Sequence, residues 1–313
     1  MNFSGKTFDD FLLRPQFGMV SSRRAISTEM DLCGRYSLDV PVMSANMDAL
    51  EGIEHEMSVA GGVAVVHRNM TAEKQAYIVS WEKSHRTDKI GAAVGLDDLG
   101  RIDALQKAGV DFVIVDIAHG HSMAMYHYLK RIRTAFPDLI IGAGNVATRQ
   151  GASMLKESGA HFVKVGIGAG RACLTRQKTG FGVPQLEAIW ECSQVANVVA
   201  DGGIRNEKDI FLSLACGAQA VMLGSFLASK SIRGMSSAEA DPTQTSPPEG
   251  LVVPISDTRS ISERMLAIKG YLQSSVSYAG ASNLREAVWN IRTRPDEYLI
   301  ELSAASRKES FDR

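Results

Sequence analysis

The sequence predicts an α/β fold: a closed (β/α)₈ TIM barrel with a mobile flap after strand eight. Three observations predict it. Eight short runs rich in Val, Ile, Ala and Gly recur along the 313 residues, and helix-like segments separate them. The runs are near-continuously apolar rather than alternating, as suits parallel strands covered on both faces. A phrase also repeats, "KAGVDFV" (107–113), "ESGAHFV" (157–163) and "ACGAQAV" (215–221). Each copy reads as a helix end, a glycine suited to the left-handed cap, and a new strand. Eight βα units favour closure; an open doubly wound sheet is the alternative from the same elements.

The strand candidates, in order, are "PVMSANM" (41–47), "GGVAVV" (61–66), "IGAAVG" (90–95) and "FVIVDIA" (112–118), then "LIIGAGN" (139–145), "FVKVGIG" (162–168), "NVVADGG" (197–203) and "AVMLGS" (220–225). Between them, Thr71 is placed to N-cap "MTAEKQAYIVSWEK". "DDLGRIDALQKAG" puts Leu99, Ile102 and Leu105 on one face, with acids in its first turn. After Ser225 the text changes to "ASKSIRGMSSAEADPTQTSPPEGLVVP", rich in Ser, Pro, Gly and Thr and without period. It follows strand eight, at the barrel end where active sites form, and reads as a lid spanning about 229–254; a plain surface loop is the alternative. "SDTRSISERMLAIKGYLQSS" reads as a final helix before a polar tail. The whole of 1–313 is expected to be a single barrel domain.

Formal net charge is -1, which argues against a broad basic surface for nucleic acid. No apolar run is long enough to cross a bilayer. The N-terminus, "MNFSGKTFDDFLLRP", carries acids where a signal peptide needs a basic start and an apolar core. A soluble cytoplasmic protein with no membrane partner is the expectation. The four cysteines, Cys33, Cys173, Cys192 and Cys216, form no CxxC pair and no zinc-spaced cluster. Free thiols are expected, with Cys192 and Cys216 packed inside helices.

In such a barrel the chemistry sits on loops leaving the C-terminal ends of strands. That rule selects Asp116; Gly144 and Asn145; Gly166, Gly168, Gly170 and Cys173; Asp201, Gly202 and Gly203; and Gly224 with Ser225. "DGGIR" and "AVMLGS" close neighbouring strands seven and eight, where glycines let backbone N–H groups approach a phosphate. Tight turns are the bland alternative. Asp201 is then either an acceptor for ribose hydroxyls or an inward structural carboxylate. In "KVGIGAGRACLTR" (164–176), Cys173 is either a nucleophile over the barrel mouth or a small buried residue, and glycine spacing does not decide.

This loop resembles the catalytic loop of the IMP dehydrogenase/GMP reductase family. The similarity runs through "SANMD", "VVHRNM", "DIAHGHS", "GAGNVAT", "QKTGFGVPQL", "DGGIR", "RGMSS", "EG" before "VVP", and "LQSSVSYAGA". Only a helix-length stretch separates Val66 from Ile90, where IMP dehydrogenases usually insert a pair of regulatory (CBS) domains. No Arg-Tyr dipeptide follows strand eight, whereas the dehydrogenases use one to activate the hydrolytic water. The chain therefore looks like a GMP reductase, of one bacterial branch in particular.

That resemblance implies NADPH-dependent reductive deamination of GMP to IMP and ammonia through a covalent purine thioimidate on Cys173. Thr175 and Glu249 would move the proton to the leaving amine. Asp201, Gly203, Gly224 and Ser225 would hold ribose and phosphate, and Gly234, Met235 and Ser236 the base. Asp116 and Arg68 would lie near the nicotinamide. Ser22, Arg23, Ser277 and Tyr278 would reach the cofactor across a subunit boundary, in a homotetramer. Carbonyls of Gly168, Gly170 and Cys173 would hold a monovalent cation such as K⁺.

The chain departs from the family pattern in its loop, where Ala169 replaces a common proline, Arg171 a Ser or Lys, and Leu174 a Thr or Ile. The segment between Ser236 and Glu249 is shorter than usual, which allows a related purine nucleotide as substrate. The competing functions are IMP dehydrogenase, a flavin-dependent barrel sharing the phosphate end, and a catalytically silent nucleotide-binding paralogue.

Overall fold

In the computed structural model, which describes residues 1–229, 232–233 and 252–311, eight parallel strands run around a barrel. They are β1 (Val42–Ser44), β2 (Ala64–Val66), β3 (Ile90–Val94) and β4 (Phe112–Asp116), followed by β5 (Ile140–Val146), β6 (Phe162–Val165), β7 (Val198–Asp201) and β8 (Ala218–Leu223). Lateral order is β1-β8-β7-β6-β5-β4-β3-β2. The Met43–Val63 bridge brings β1 to β2, so the sheet meets itself as a (β/α)₈ barrel.

Helices α1 (Glu54–Val59), α2 (Ala72–Ser84), α3 (Leu99–Lys107), α4 (Met123–Ala135), α5 (Arg149–Glu157), α6 (Gln185–Ser193), α7 (Glu207–Ala215) and α8 (Ile261–Tyr278) alternate with the strands. Thr71 caps α2, its hydroxyl accepting from Lys74 N–H at 3.2 Å. The repeated phrase is a helix stop in each copy, for Gly109, Gly159 and Gly217 have φ of 87°, 113° and 113°. The acids before Leu99 precede the first turn of α3, because Asp98 is the N-cap and accepts from Arg101 N–H.

The inward face of the barrel changes character from bottom to top. Phe112 and Phe162 meet edge to face at 5.6 Å near its lower end. A side chain on Gly91 or Gly142 would come within 2.3 Å of those rings, so the small residues of β3 and β5 make room for the aromatics of β4 and β6. Inward residues recur every second position along a strand. Two residues above Phe162 is Lys164, and four above Phe112 is Asp116; the same inward rows thus end in charge.

A hairpin (Met30–Leu32 with Tyr36–Leu38) closes the lower end, with Leu32 and Leu38 buried. Its Tyr36 hydroxyl donates to Asp111 O at 2.6 Å and its Cys33 N–H to Gln219 Oε1 at 2.8 Å. Cys192 and Cys216 are fully buried free thiols, and burial pushes both up to about 12.

The residues after α8 correct the expected polar tail. Leu284–Thr293 is a helix that buries Leu284, Ala287, Val288 and Ile291, a spacing that lays them on one face. Leu299–Glu301 then pairs antiparallel with Phe11–Leu13, tying the two ends of the chain together. No described helix is long and apolar enough to cross a membrane.

Candidate active site

The β6 loop is built to lie flat on the β7 loop. Gly166 has φ of 150°, and a Cβ there would sit 1.9 Å from Asp201 O. A Cβ on Gly202 would in turn reach to 2.9 Å from Gly170 N. The two loops therefore touch backbone to backbone. Arg176 braces the first from beneath, donating from Nε to Ile167 O at 3.1 Å and from its terminal nitrogen to Val183 O. Asn145 Nδ2 donates to Gly166 O at 2.7 Å.

On this braced loop the Cys173 N–H donates to Gly170 O at 3.0 Å. Its flanking residues Ala172 and Leu174 are buried, while Cys173 itself is half-buried. Cys173 Sγ lies 3.2 Å from Thr175 Oγ1, within sulfur hydrogen-bonding reach. Thr175 opens a short helix, Thr175–Thr179, that Gly180 ends at φ of 76°. A thiol beside a hydroxyl, on a loop with little freedom, can attack an electrophilic carbon while the hydroxyl relays a proton.

Both residues line a cavity of about 1010 Å³ at the C-terminal end of the barrel. Asp201, Gly203, Gly224, Ser225, Asp116, Arg68, Gly168 and Gly170 line the same cavity. Ser22, Arg23, Ser277 and Tyr278 do not. Arg23 donates to Ser274 Oγ at 3.1 Å, and exposed Tyr278 borders a separate cavity of about 270 Å³ with Arg14 and Tyr298. Glu249, Gly234, Met235 and Ser236 lie outside the described residues.

A charged layer lines the cavity floor. Lys164 Nζ is 2.8 Å from Asp116 Oδ1 and 2.8 Å from Asp201 Oδ2. Asn46 Nδ2 donates to Asp116 Oδ2 at 2.8 Å, and Asn145 Nδ2 to Asp201 Oδ2 at 2.8 Å. Burial pushes the Asp116 carboxyl up, but the Lys164 ammonium, with Asn46 and Arg68, outweighs it and holds the group below its ordinary value. The lysine moves the opposite way from its burial, upward, because both aspartates favour its charged form.

Among the described residues, five cationic side chains (Arg68, Lys164, Arg171, Arg205, Arg259) line the cavity against three aspartates (Asp116, Asp201, Asp257). Arg205 is tied to Asp9 at 2.7 Å and Arg259 to Asp257 at 2.7 Å, whereas Arg171 has no ion pair among the described residues. The surplus positive charge suits an anionic ligand. At the far rim, fully buried Arg264 of α8 donates to Ala228 O at 2.9 Å and Asp257 O at 2.8 Å, joining the chain leaving β8 to the chain that returns.

The sequence reading missed Lys164, Asn46, Arg205 and Arg259 as site residues. Lys164 carried a signal, as the one charge in the buried strand Phe162–Val165. Asn46 and Arg205 lie inside the motifs "SANMD" and "DGGIR", whereas Arg259 carried no local signal.

A family model described as "IMP dehydrogenase / GMP reductase domain" matches residues 5–312. An inosine-5'-monophosphate dehydrogenase of Cryptosporidium parvum is 31% identical, over 98% of this chain and 94% of that protein. A GMP reductase of Helicobacter pylori is 32% identical, over 88% of this chain and 91% of that protein. A GMP reductase of Streptococcus pyogenes serotype M49 is 30% identical, over 90% and 96%.

Proposed function

Because the chain belongs to the IMP dehydrogenase/GMP reductase family, we propose that it is an NADPH-dependent GMP reductase that converts GMP to IMP and ammonia. The observation that carries this reading is the Cys173–Thr175 pair, 3.2 Å apart on the wall of a cavity that Gly202–Gly203 and Gly224–Ser225 also line. Nucleophile and nucleotide cradle share one space.

In this reading the phosphate takes backbone N–H groups at Gly203, Gly224 and Ser225, and the ribose donates to Asp201. Gly234, Met235 and Ser236 meet the base. The Cys173 thiolate adds to C2 of guanine. The C2–N bond then breaks, and the amine leaves as ammonia with a proton passed through Thr175 from Glu249. The purine stays joined by its S–C2 bond, a thioimidate. A reduced nicotinamide, when bound, supplies the hydride that C2 accepts as the S–C2 bond breaks and IMP departs. Thiolate suits both addition and departure because sulfur is a soft nucleophile and a good leaving group.

Two features of the chain fit a nicotinamide beside Cys173. Arg68 Nε is buried with no partner among the described residues, and Asp116 lines the same cavity. Ser22, Arg23, Ser277 and Tyr278 serve the far end of that ligand only from a second copy, in a homotetramer. A monovalent cation such as K⁺ would use the Gly168, Gly170 and Cys173 carbonyls; the Gly170 oxygen already accepts from Cys173 N–H and would offer its second lone pair.

The IMP dehydrogenase reading has its own support, the likeness to the C. parvum enzyme over 98% of this chain. What favours the reductase is the absence of an Arg-Tyr dipeptide after β8 to activate water against the covalent intermediate. Assays with GMP plus NADPH, following ammonia, and with IMP plus NAD⁺ separate the two. Turnover in the first alone is expected; turnover in the second alone would reverse the assignment.

A further inference from the structure

We infer that Lys164 is a positioning residue for both ligand half-sites at once: a single ammonium orients and charge-balances Asp116 and Asp201, so nucleotide and dinucleotide depend on it jointly. The inference rests on the function proposed above and adds a residue to it.

The reach of the lysine is set by the sheet. Register places Asp116 opposite Gly144 and Gly144 opposite Lys164, across β4, β5 and β6. A Cβ on Gly144 would stand 2.6 Å from Lys164 Cβ. With no side chain on the intervening strand, Lys164 passes over β5 to Asp116 while also holding Asp201 on β7.

Each carboxylate is aimed by what it receives. Asp116 takes Lys164 on Oδ1 and Asn46 on Oδ2. Asp201 takes both Lys164 and Asn145 on Oδ2, and its Oδ1 has no partner among the described residues. That oxygen belongs to a cavity-lining side chain, as an acceptor for a sugar diol must. The Lys164 side chain is 5% exposed and those of the aspartates 15% and 20%, so solvent screens this triad weakly.

Remove the ammonium and two half-buried carboxylates share one site. Arg68, at the end of β2, still faces Asp116; among the described residues only neutral Asn145 then donates to the Asp201 carboxylate, with Arg171 and Arg205 elsewhere on the cavity wall. One carboxyl then retains its proton to higher pH, since like charges in a desolvated site cannot both ionise cheaply. A protonated carboxyl is a poorer acceptor, and binding gains a pH dependence that the intact triad lacks. The sign follows: the affected carboxyl loses its proton as pH rises, so binding to a lysine-less protein recovers toward high pH.

The test uses the full chain and two readouts. Carboxyl ¹³C NMR of unliganded protein with labelled aspartate follows Asp116 and Asp201, assigned by their Asn variants. Asp116 is expected to stay ionised from pH 6 to 8 in the wild type, and one of the two carboxyls to titrate in that interval only in Lys164→Met. Calorimetry with GMP and with NADPH is expected to show both ligands weakened, on the order of 30-fold, near the low end of that range. The loss should shrink as pH rises, and Lys164→Arg should restore the flat profile. Asp201→Asn should weaken GMP alone. Should Lys164→Met fail to fold, Lys164→Gln keeps a polar side chain without the charge, with joint weakening and the new titration again expected. Weakening of one ligand only, or of both with no new carboxyl titration, overturns the inference. Wild-type protein that binds neither ligand would instead contradict the proposed function, and the NMR titration would still decide the role of Lys164.

Discussion

The Cys173 sulfur and the Thr175 hydroxyl stand 3.2 Å apart, one on the braced β6 loop and the other on the first residue of the helix that follows it. Two residues apart in sequence, they lie between the turn that Cys173 N–H closes on Gly170 O and the helix that Thr175 opens. A hydroxyl so placed can pass a proton to or from a group bonded to the sulfur.

Removing either partner should separate bond formation from proton transfer. Cys173→Ala is expected to abolish turnover while nucleotide affinity, measured by calorimetry, stays within a few-fold. Thr175→Ala should lower kcat by roughly 10²–10⁴ with a small change in KM, the range for one lost proton relay. Steady-state kinetics of both variants check this.

Gly166→Ala should fail for a reason visible in one distance. The added carbon would stand 1.9 Å from Asp201 O at a φ of 150°. The loop must lift off β7, and a loss of roughly 2–4 kcal/mol is expected in urea unfolding. Activity should fall further than stability, because Cys173 rides on the same loop.

Arg171 has no ion pair among the described residues and lines the cavity next to the glycine turns. Arg171→Ala is expected to weaken a nucleoside monophosphate roughly 10-fold at low salt and to leave the parent nucleoside unaffected. Because Arg171 is exposed, added salt should narrow the gap. Titrations of nucleotide and nucleoside at two ionic strengths check both parts.

His161 should make stability depend on pH. Burial, then Arg133 and Arg35, hold its imidazole below the ordinary histidine value. Its Nδ1 accepts from Ile141 N–H at 3.0 Å, a bond that protonation removes. The unfolded chain therefore binds the proton first as pH falls, and the folded state loses stability from about pH 6.5 downward. His161→Gln should flatten the melting temperature between pH 7 and 5 by about 1–2 °C relative to wild type.

The barrel was legible because each unit announces itself locally. Gly109, Gly159 and Gly217 stop helices just before a strand, and the apolar runs fall on β1 to β8. The Lys164 layer was not, because Asp116, Lys164 and Asp201 become neighbours only through register across four adjacent strands. Asn46 and Arg259 come from the loop after β1 and the return after β8, where local pattern says nothing of proximity. The helix Leu284–Thr293 was readable and was passed over: Leu284, Ala287, Val288 and Ile291 carry the period of a buried face beneath a polar composition.

The most direct test is to look for the S–C2 bond. Protein quenched with acid during turnover of GMP and NADPH, then digested with trypsin, should yield the peptide Ala172–Arg176 carrying the mass of a purine nucleotide on Cys173. The adduct should be absent from Cys173→Ala. An unmodified peptide from protein caught in full turnover, or undiminished turnover by Cys173→Ala, would contradict a covalent role for this sulfur.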